Sequence, residues 1–240
     1  MLTAAALVPD TALLVPGAGG LGDPAQRLRA AALAVVEAAV AGADAVVVVA
    51  PGRLTRELGG RVVASLGAAG IPDDQLGWRA PAVGDGPDAL AGVRASVGLH
   101  LLAHAGYVGP TRVVEVAPGT DLTDLTDLGA RLVRGAATAL VVVGSASGRH
   151  GPDAPLADDE RAPAYDEALV ADLAEPSRQA RGRLAGLAGQ DARDLAVTGW
   201  APWQVLLGSL GTVDGEVVGH LEHAEVLAGA QHVAIGWRAA

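Results

Sequence analysis

The stretch TALVVVGSASG, residues 138–148, decides the fold of this chain. A run of β-branched and aliphatic residues gives way there to glycine and serine. A short run of this kind is typical of a strand that is buried on both faces and followed by a turn. The stretch ADAVVVVAPG, residues 43–52, has the same form and ends in Pro51 and Gly52. Both runs predict interior strands of a mainly parallel sheet.

Helical patterns alternate with these strands. In the first, residues 23–42, Asp23 is expected to cap the helix, Pro24 to occupy its first position and Gly42 to end it. Other predicted helices cover 86–106, 123–136 and, with a break at Pro176, 163–210; other predicted strands cover 2–8, 60–67, 111–119, 216–227 and 231–238. This alternation predicts a single α/β domain over residues 1–240, with a mainly parallel or mixed central sheet and helices on both faces.

Composition excludes several classes of function. The chain has no cysteine, which excludes disulfides, thiolate nucleophiles and cysteine-ligated zinc. Its formal net charge of -10 argues against a nucleic-acid partner. No apolar run reaches the length of a membrane span, and the apolar N-terminus lacks the basic segment of a signal peptide. We therefore expect a cytoplasmic protein that binds neither nucleic acid nor membranes.

Residues that follow the predicted strands are expected to meet at one edge of the sheet. Ligands of open α/β sheets bind beyond the carboxyl ends of the parallel strands. Asp10 follows the first strand, and the long loop 144–165 follows the strand at 138–143. A loop of this length is usually functional or disordered. The predicted rim pocket consists of Pro51, Gly52, Ser145, Ser147, Asp153 and Trp200, with core packing as the first expectation for Trp200.

The histidines divide into one rim candidate and several expected structural residues. His100 and His104 share a helical face, as metal ligands can, although two buried or surface histidines are the favoured interpretation. His220 and His223 have an odd spacing in a predicted strand, which places them on opposite faces unless a bulge intervenes. The single His232 is expected to pack or hydrogen-bond in the sheet. His150 lies in the rim loop and is the candidate acid/base.

Four stretches together resemble the class III extradiol dioxygenase family, which includes the catalytic β subunit of protocatechuate 4,5-dioxygenase. They are LTAAALVPDTALLVPG at 2–17, ADAVVVVAPG at 43–52, ALVVVGSASGRHG at 139–151 and TGWAPWQVLLG at 198–208. The resemblance implies a single α/β domain with a non-haem iron(II) held by two histidines and a glutamate. It also implies a further histidine that acts as acid/base beside the bound catecholate. Such a ligand set leaves iron positions open for substrate and dioxygen.

The family's ligand positions carry other residues in this chain. Asp10 stands where the family has its first histidine ligand, so Asp10 is the candidate metal residue. The turn at 50–53 has no histidine, and residues 198–200 have no carboxylate. His150 matches the family's acid/base histidine. Asp153 or Asp85 could complete a rebuilt iron site.

Three functions follow from these features. The first is an oxidoreductase of the extradiol type with a degenerate or rebuilt metal site. The second, which the residues favour, is a metal-free protein that binds a small molecule, aromatic molecules included, in the rim pocket or does acid/base chemistry through an Asp10–His150 pair. The third is a homo-oligomeric structural or partner-binding protein, which an exposed apolar patch near the last two strands would support.

Overall fold

The computed structural model describes residues 1–20, 22–154, 156–212 and 216–239. The strands are β1 (Leu2–Val8), β2 (Ala45–Pro51), β3 (Arg56–Leu58), β4 (Arg61–Val63), β5 (Asp88–Leu90), β6 (Thr111–Val116), β7 (Thr138–Val143), β8 (Val217–Leu227) and β9 (Ala230–Ala239). The helices are α1 (Gln26–Val40), α2 (Val93–His104), α3 (Leu122–Leu132), α4 (Ala162–Ala174), α5 (Arg178–Ala185), α6 (Gly189–Asp194) and α7 (Trp200–Ser209). No helix in the described ranges is both long and apolar enough to cross a membrane.

The central sheet has seven strands in the order β3-β6-β2-β7-β1-β9-β8. The neighbouring strands β6, β2, β7 and β1 are parallel, whereas β3 and the β8–β9 hairpin join the two sides of this block as antiparallel strands. Parallel strands need long crossover connections, which the helices supply. The sequence prediction of an α/β domain with a mixed central sheet is confirmed.

The interior strands contribute side chains to two hydrophobic cores, one on each face of the sheet. Val46 and Val48 of β2 pack on the face that α1 and α2 cover, called here the α1/α2 face. Val47 and Val49 pack on the opposite face, which α4 and α7 cover. Each buried valine contributes roughly 1.5–3 kcal/mol of transfer free energy. The valine run is therefore a strand because both of its faces are buried.

Three local predictions are wrong. The predicted strand at 60–67 is only β4, Arg61–Val63, which pairs with β5 in a separate two-stranded sheet. The helix predicted over 86–106 begins at Val93, because the preceding residues include β5. Asp23 does not cap α1 and Pro24 is not its first residue, because α1 begins at Gln26. The two carboxylate oxygens of Asp23 instead lie 2.6 Å from the guanidinium nitrogens of Arg29, a stronger pairing than a cap.

The sheet topology brings a strand beginning to the edge where the parallel strands end. Because β9 runs antiparallel to β1, its first residues lie at the carboxyl end of β1. His232 is the third residue of β9. The edge predicted to hold Asp10 and the loop after β7 therefore also holds His232.

Candidate functional site

Ser145 is the centre of a hydrogen-bonded cluster at this edge. Its Oγ lies 2.6 Å from Asp10 Oδ1 and 2.8 Å from His232 Nδ1. Side chains alternate along strands, and Val8, Val143 and Ala234 all belong to the core on the α1/α2 face. The three polar residues of the cluster each lie two positions from one of these core residues: Asp10 from Val8, Ser145 from Val143 and His232 from Ala234. Their side chains therefore continue the same face beyond the apolar core.

Arg94 connects this cluster to solvent. Its Nε donates to Asp10 Oδ2 at 2.7 Å, from the second residue of α2. The Asp10 side chain is 9% exposed and that of Arg94 is 47% exposed. Asp10 therefore has one oxygen engaged by a serine hydroxyl and the other by a guanidinium, while the rest of the Arg94 guanidinium makes no hydrogen bond to any residue the structure describes.

The cluster assigns the tautomer of His232. Burial lowers the pKa of the His232 imidazole, although the Asp10 carboxylate opposes that shift, so the ring is neutral at pH 7. Ser145 has one hydroxyl hydrogen, which it donates to the ionised Asp10. Its Oγ then accepts from His232, which favours a neutral imidazole with its hydrogen on Nδ1 over the Nε2–H tautomer that would donate to the Leu227 backbone carbonyl.

A second cluster lies two residues further along the same loop. The buried carboxylate of Asp166, on α4, accepts hydrogen bonds from the Ser147 hydroxyl at 2.7 Å and the Ser147 backbone N–H at 3.0 Å. His150 Nε2 lies 2.6 Å from Asp166 Oδ2. A carboxylate that accepts from three donors is fully satisfied when ionised. Asp166 therefore holds the His150 hydrogen on Nε2 and leaves Nδ1 to accept a proton.

The backbone fixes the loop that carries both serines. Ala146 N–H donates to the Gln231 carbonyl at 3.0 Å, and Gly199 N–H donates to the Ser145 carbonyl at 3.0 Å. Gly144 lies so close to Gly199 that a Cβ on Gly144 would overlap the Gly199 backbone. The start of the loop is therefore an ordered segment between β9 and the residues before α7, which explains its small residues.

The predicted Asp10–His150 pair is wrong. Among the described residues, no hydrogen bond or ion pair joins these two side chains. Asp10 pairs with Ser145 and Arg94, whereas His150 pairs with Asp166. The two candidates belong to separate clusters because the loop after β7 turns toward α4 before it reaches His150.

Other predicted pocket residues have their own environments. Trp200 packs in the core and donates its indole N–H to the Leu187 carbonyl at 3.0 Å, so it is not a pocket wall. A Cβ on Gly52 would lie 2.6 Å from Glu115 Cβ, which makes this turn a close packing contact beside Pro51. Asp153 is exposed. The clefts of about 290, 790 and 530 Å³ in the described part of the chain are lined by other residues, so the rim pocket stays a prediction.

Sequence reasoning missed two members of the clusters. His232 was expected only to pack or hydrogen-bond in the sheet; the available signal was that a C-terminal hairpin brings the start of its last strand to the rim. Asp166 was not singled out, and nothing in the pattern of α4 distinguishes it from a solvent-facing carboxylate. Only the tertiary packing of α4 shows that it is buried beneath His150.

The remaining histidines form no joint metal site with one another or with other residues in the described part of the chain. A bulge between Leu221 and His223 lets His220 pair with Gly236 and His223 with Ala234, which places both histidines on one face. Each histidine has its own carboxylate partner: His220 lies 3.0 Å from Glu222 and His223 lies 3.5 Å from Glu225. His104 Nδ1 contacts the backbone carbonyl of His100 at 3.1 Å.

The residues present do not fit the iron(II) that the family resemblance implies. Within residues 1–20, 22–154, 156–212 and 216–239, no three histidine, aspartate or glutamate side chains lie close enough together to hold a metal ion. Asp10 has one carboxylate oxygen on the positively charged Arg94, which repels a cation at that position. Asp85 lines a different cleft beside the start of β2, at the opposite edge of the sheet, so it cannot complete a site with Asp10.

Comparisons with known proteins show the fold. No family model matches the chain, and no curated protein matches it. Among solved structures, the chain is similar to the uncharacterized protein JW3007 from Escherichia coli K12, at 14% sequence identity and a TM-score of 0.56. The similarity covers 98% of this chain and 99% of that chain. At this identity the likeness shows the fold alone.

Proposed function

We propose that this chain performs metal-free acid/base chemistry on a small molecule at the carboxyl edge of its sheet, with His150 as the group that takes up and returns the proton. The observation that carries the proposal is the 2.6 Å contact between His150 Nε2 and the buried carboxylate of Asp166. A carboxylate behind an imidazole fixes its tautomer and stabilises the imidazolium that forms on proton transfer.

The surroundings of His150 suit this role. Its side chain is 12% exposed, so a small molecule can reach the ring while most bulk water is excluded. The two hydrogen bonds from Ser147 hold the Asp166 carboxylate in a single orientation. A preorganised carboxylate needs no rearrangement when positive charge develops on the imidazole.

Arg94 supports an anionic or strongly polar reactant. The guanidinium is half exposed and is anchored through Nε by Asp10, so its other donors are held in a fixed direction. The Ser145–His232 pair orients Asp10 in turn. In this proposal the first cluster positions Arg94, and the second cluster carries the proton.

The resemblance to class III extradiol dioxygenases supports the location of the site but not iron chemistry. This chain has the expected α/β architecture, and its candidate residues lie beyond the ends of the parallel strands, as ligand sites do in such sheets. The donor set around Asp10 favours a metal-free activity. A cytoplasmic location, expected from the sequence, belongs to the same proposal.

The test measures proton abstraction directly, in the presence of a chelator. Wild-type protein is incubated in D₂O with EDTA and small carbon acids such as pyruvate and phenylpyruvate, and hydrogen–deuterium exchange is followed by ¹H NMR. We expect exchange above the buffer rate, reduced about 10²-fold or more in His150→Gln. His220→Gln, which alters a histidine with a 75% exposed side chain on β8, is the matched control and should exchange at the wild-type rate.

A parallel assay tests the dioxygenase alternative. The protein is loaded anaerobically with iron(II), and oxygen uptake is measured with catechol and protocatechuate. Oxygen uptake that is lost in Asp10→Ala would establish iron chemistry and overturn the metal-free proposal. Exchange in D₂O that is equal for wild type and His150→Gln would remove His150 from the proposed role.

The edge strand β8 favours homo-oligomer formation as a second property. Val218, Leu221 and Val226 are exposed along this 11-residue strand, and their relative exposures are 56%, 37% and 49%. An exposed apolar edge strand can pair with the same strand of another copy. Light scattering across a concentration series should show a dimer that Val226→Lys weakens, while a concentration-independent monomer would contradict this assignment.

A further inference from the structure

A cleft away from the rim contains a buried histidine with no hydrogen-bond partner. The cleft has a volume of about 530 Å³ and lies between residues 73–82 and α2. His100 lines it and is only 3% exposed, yet neither its Nδ1 nor its Nε2 has a partner. A buried polar group without a partner costs roughly 1–3 kcal/mol, so this arrangement indicates a ligand that supplies the missing hydrogen bonds.

The protonation state of His100 defines what it can bind. Burial and the nearby His104 lower its pKa, and the charge of Asp73 offsets only part of that shift. The ring is therefore neutral at pH 7 and presents one N–H donor and one nitrogen acceptor. A hydroxyl group also combines a donor with an acceptor, whereas a carboxylate can only accept. The ring therefore complements a ligand hydroxyl better than a ligand anion.

The wall of the cleft is apolar and held in place. Leu76 and Trp78 line it. The Trp78 ring stacks on His104 with centroids 4.1 Å apart and planes at 15°, and Arg29 lies 5.8 Å from the ring centroid. The Trp78 indole is thus held in place by contacts with His104 and Arg29. A fixed apolar wall with a few polar groups is the usual form of a small-molecule site.

The charges that line the cleft favour a single negative charge on the ligand. Arg61 is paired with Asp88 at 2.6 Å, and Asp73 accepts a hydrogen bond from Leu66 N–H at 2.8 Å. Arg79 is exposed, and among the described residues no hydrogen bond or ion pair engages its guanidinium. One unpaired cation matches one carboxylate, while Asp73 repels a second.

We propose that this cleft binds a small hydroxylated monocarboxylate. The ligand hydroxyl bonds to one ring nitrogen of His100, its apolar body packs against Leu76 and Trp78, and its carboxylate pairs with Arg79. The site is distinct from the His150 cluster and stands whether or not the acid/base proposal is correct.

The experiment uses 3-phenyllactate, with 3-phenylpropanoate as the analogue that lacks the hydroxyl and 3-phenyllactamide as the uncharged analogue. Binding to the full chain is measured by isothermal titration calorimetry. We expect phenyllactate to bind about 10-fold more tightly than either analogue, because each analogue leaves one polar group of the site without its partner.

Variants assign each contact to its residue. His100→Leu should abolish the preference for the hydroxyl while leaving phenylpropanoate binding unchanged, and it should fold because it removes a buried unpaired polar group. His100→Gln retains a donor and an acceptor and should restore part of the preference. Arg79→Gln should abolish the preference for the carboxylate, whereas Arg134→Gln, which alters another exposed arginine, should not.

Two results would overturn the proposal. One is the absence of phenyllactate binding to the wild-type protein at ligand concentrations up to about 20 mM, since even weak small-molecule sites have dissociation constants near the millimolar range. The other is an unchanged hydroxyl preference in His100→Leu. Either result would mean that water alone hydrates His100.

Discussion

Substitution of Ser145 by alanine tests whether the Asp10–Ser145–His232 cluster is built as the distances indicate. The change removes one hydroxyl and no buried methylene. It leaves Asp10 Oδ1 and His232 Nδ1 without the partner that lies 2.6 and 2.8 Å away in the native protein. We expect the folded state to lose stability even though no core packing changes.

The magnitude follows from the two bonds and their access to water. The bond to Asp10 is charge-assisted, and such bonds contribute roughly 1.5–3 kcal/mol. Asp10 keeps its ion pair with Arg94, and its 9% exposed side chain can recover part of that energy from water. His232 is 4% exposed and cannot, so its unpaired nitrogen costs roughly 1–3 kcal/mol. We expect a total loss of about 2–4 kcal/mol in the free energy of unfolding.

Urea denaturation followed by circular dichroism measures this loss. Ser65→Ala is the matched control, because Ser65 Oγ accepts only an exposed hydrogen bond from Gly67 N–H at 3.0 Å, and it should cost under about 0.5 kcal/mol. The double variant Ser145→Ala/His232→Leu should recover stability relative to the single variant, since it removes the orphaned ring. A loss below about 0.5 kcal/mol in Ser145→Ala would refute the cluster as described.

Three further predictions use other features. Burial lowers the pKa of both His100 and His232 below the unfolded value of 6.5, so their contribution to the free energy of unfolding is fully present above that pH and is lost as pH falls through the folded pKa. The slope is up to about 1.4 kcal/mol per pH unit for each group. Urea unfolding midpoints measured from pH 8 to 5 should show this loss, and His100→Leu should make the pH dependence shallower. Nitrogen-detected NMR of the imidazoles should find the neutral His232 hydrogen on Nδ1, and an Nε2–H tautomer would contradict the direction of the Ser145 hydrogen bond. Gly129→Ala should lower the free energy of unfolding by about 1–3 kcal/mol, because the added Cβ would overlap the Val205 carbonyl between α3 and α7. Gly182→Ala has open space around the added Cβ and should raise the free energy of unfolding by about 0.5–1 kcal/mol.

Prediction of secondary structure was most accurate where a continuous apolar run, or the alternation of strands and helices, is visible in the sequence itself. The valine run of β2 has its form because both faces are buried, and the alternation of strands and helices follows from the crossovers that parallel strands need. Prediction was poorest at residues 60–92, where β4 pairs with the three-residue β5 and, at Val62, with Val83 in an isolated bridge. Strands of three residues are too short to show the alternation of apolar and polar side chains that would predict them.

The candidate site could be predicted only in part. The rule that ligands bind beyond strand ends located Asp10, Ser145 and Ser147 at one edge. It did not show which side chains contact one another, because that depends on where β9 begins and how α4 packs. The expected partner of Asp10 was His150, but the structure gives it Ser145 and Arg94.

The sequence by itself determined the α/β class and the edge at which polar residues collect, because burial on both faces and strand–helix alternation are local properties of the chain. The tertiary structure alone decided that His232, 87 residues after Ser145, would meet it, and that Asp166 would be buried beneath His150. Hydrogen bonds of this kind join residues that are distant in the chain, and their geometry exists only once the antiparallel β9 and the helix α4 are packed against the parallel strands.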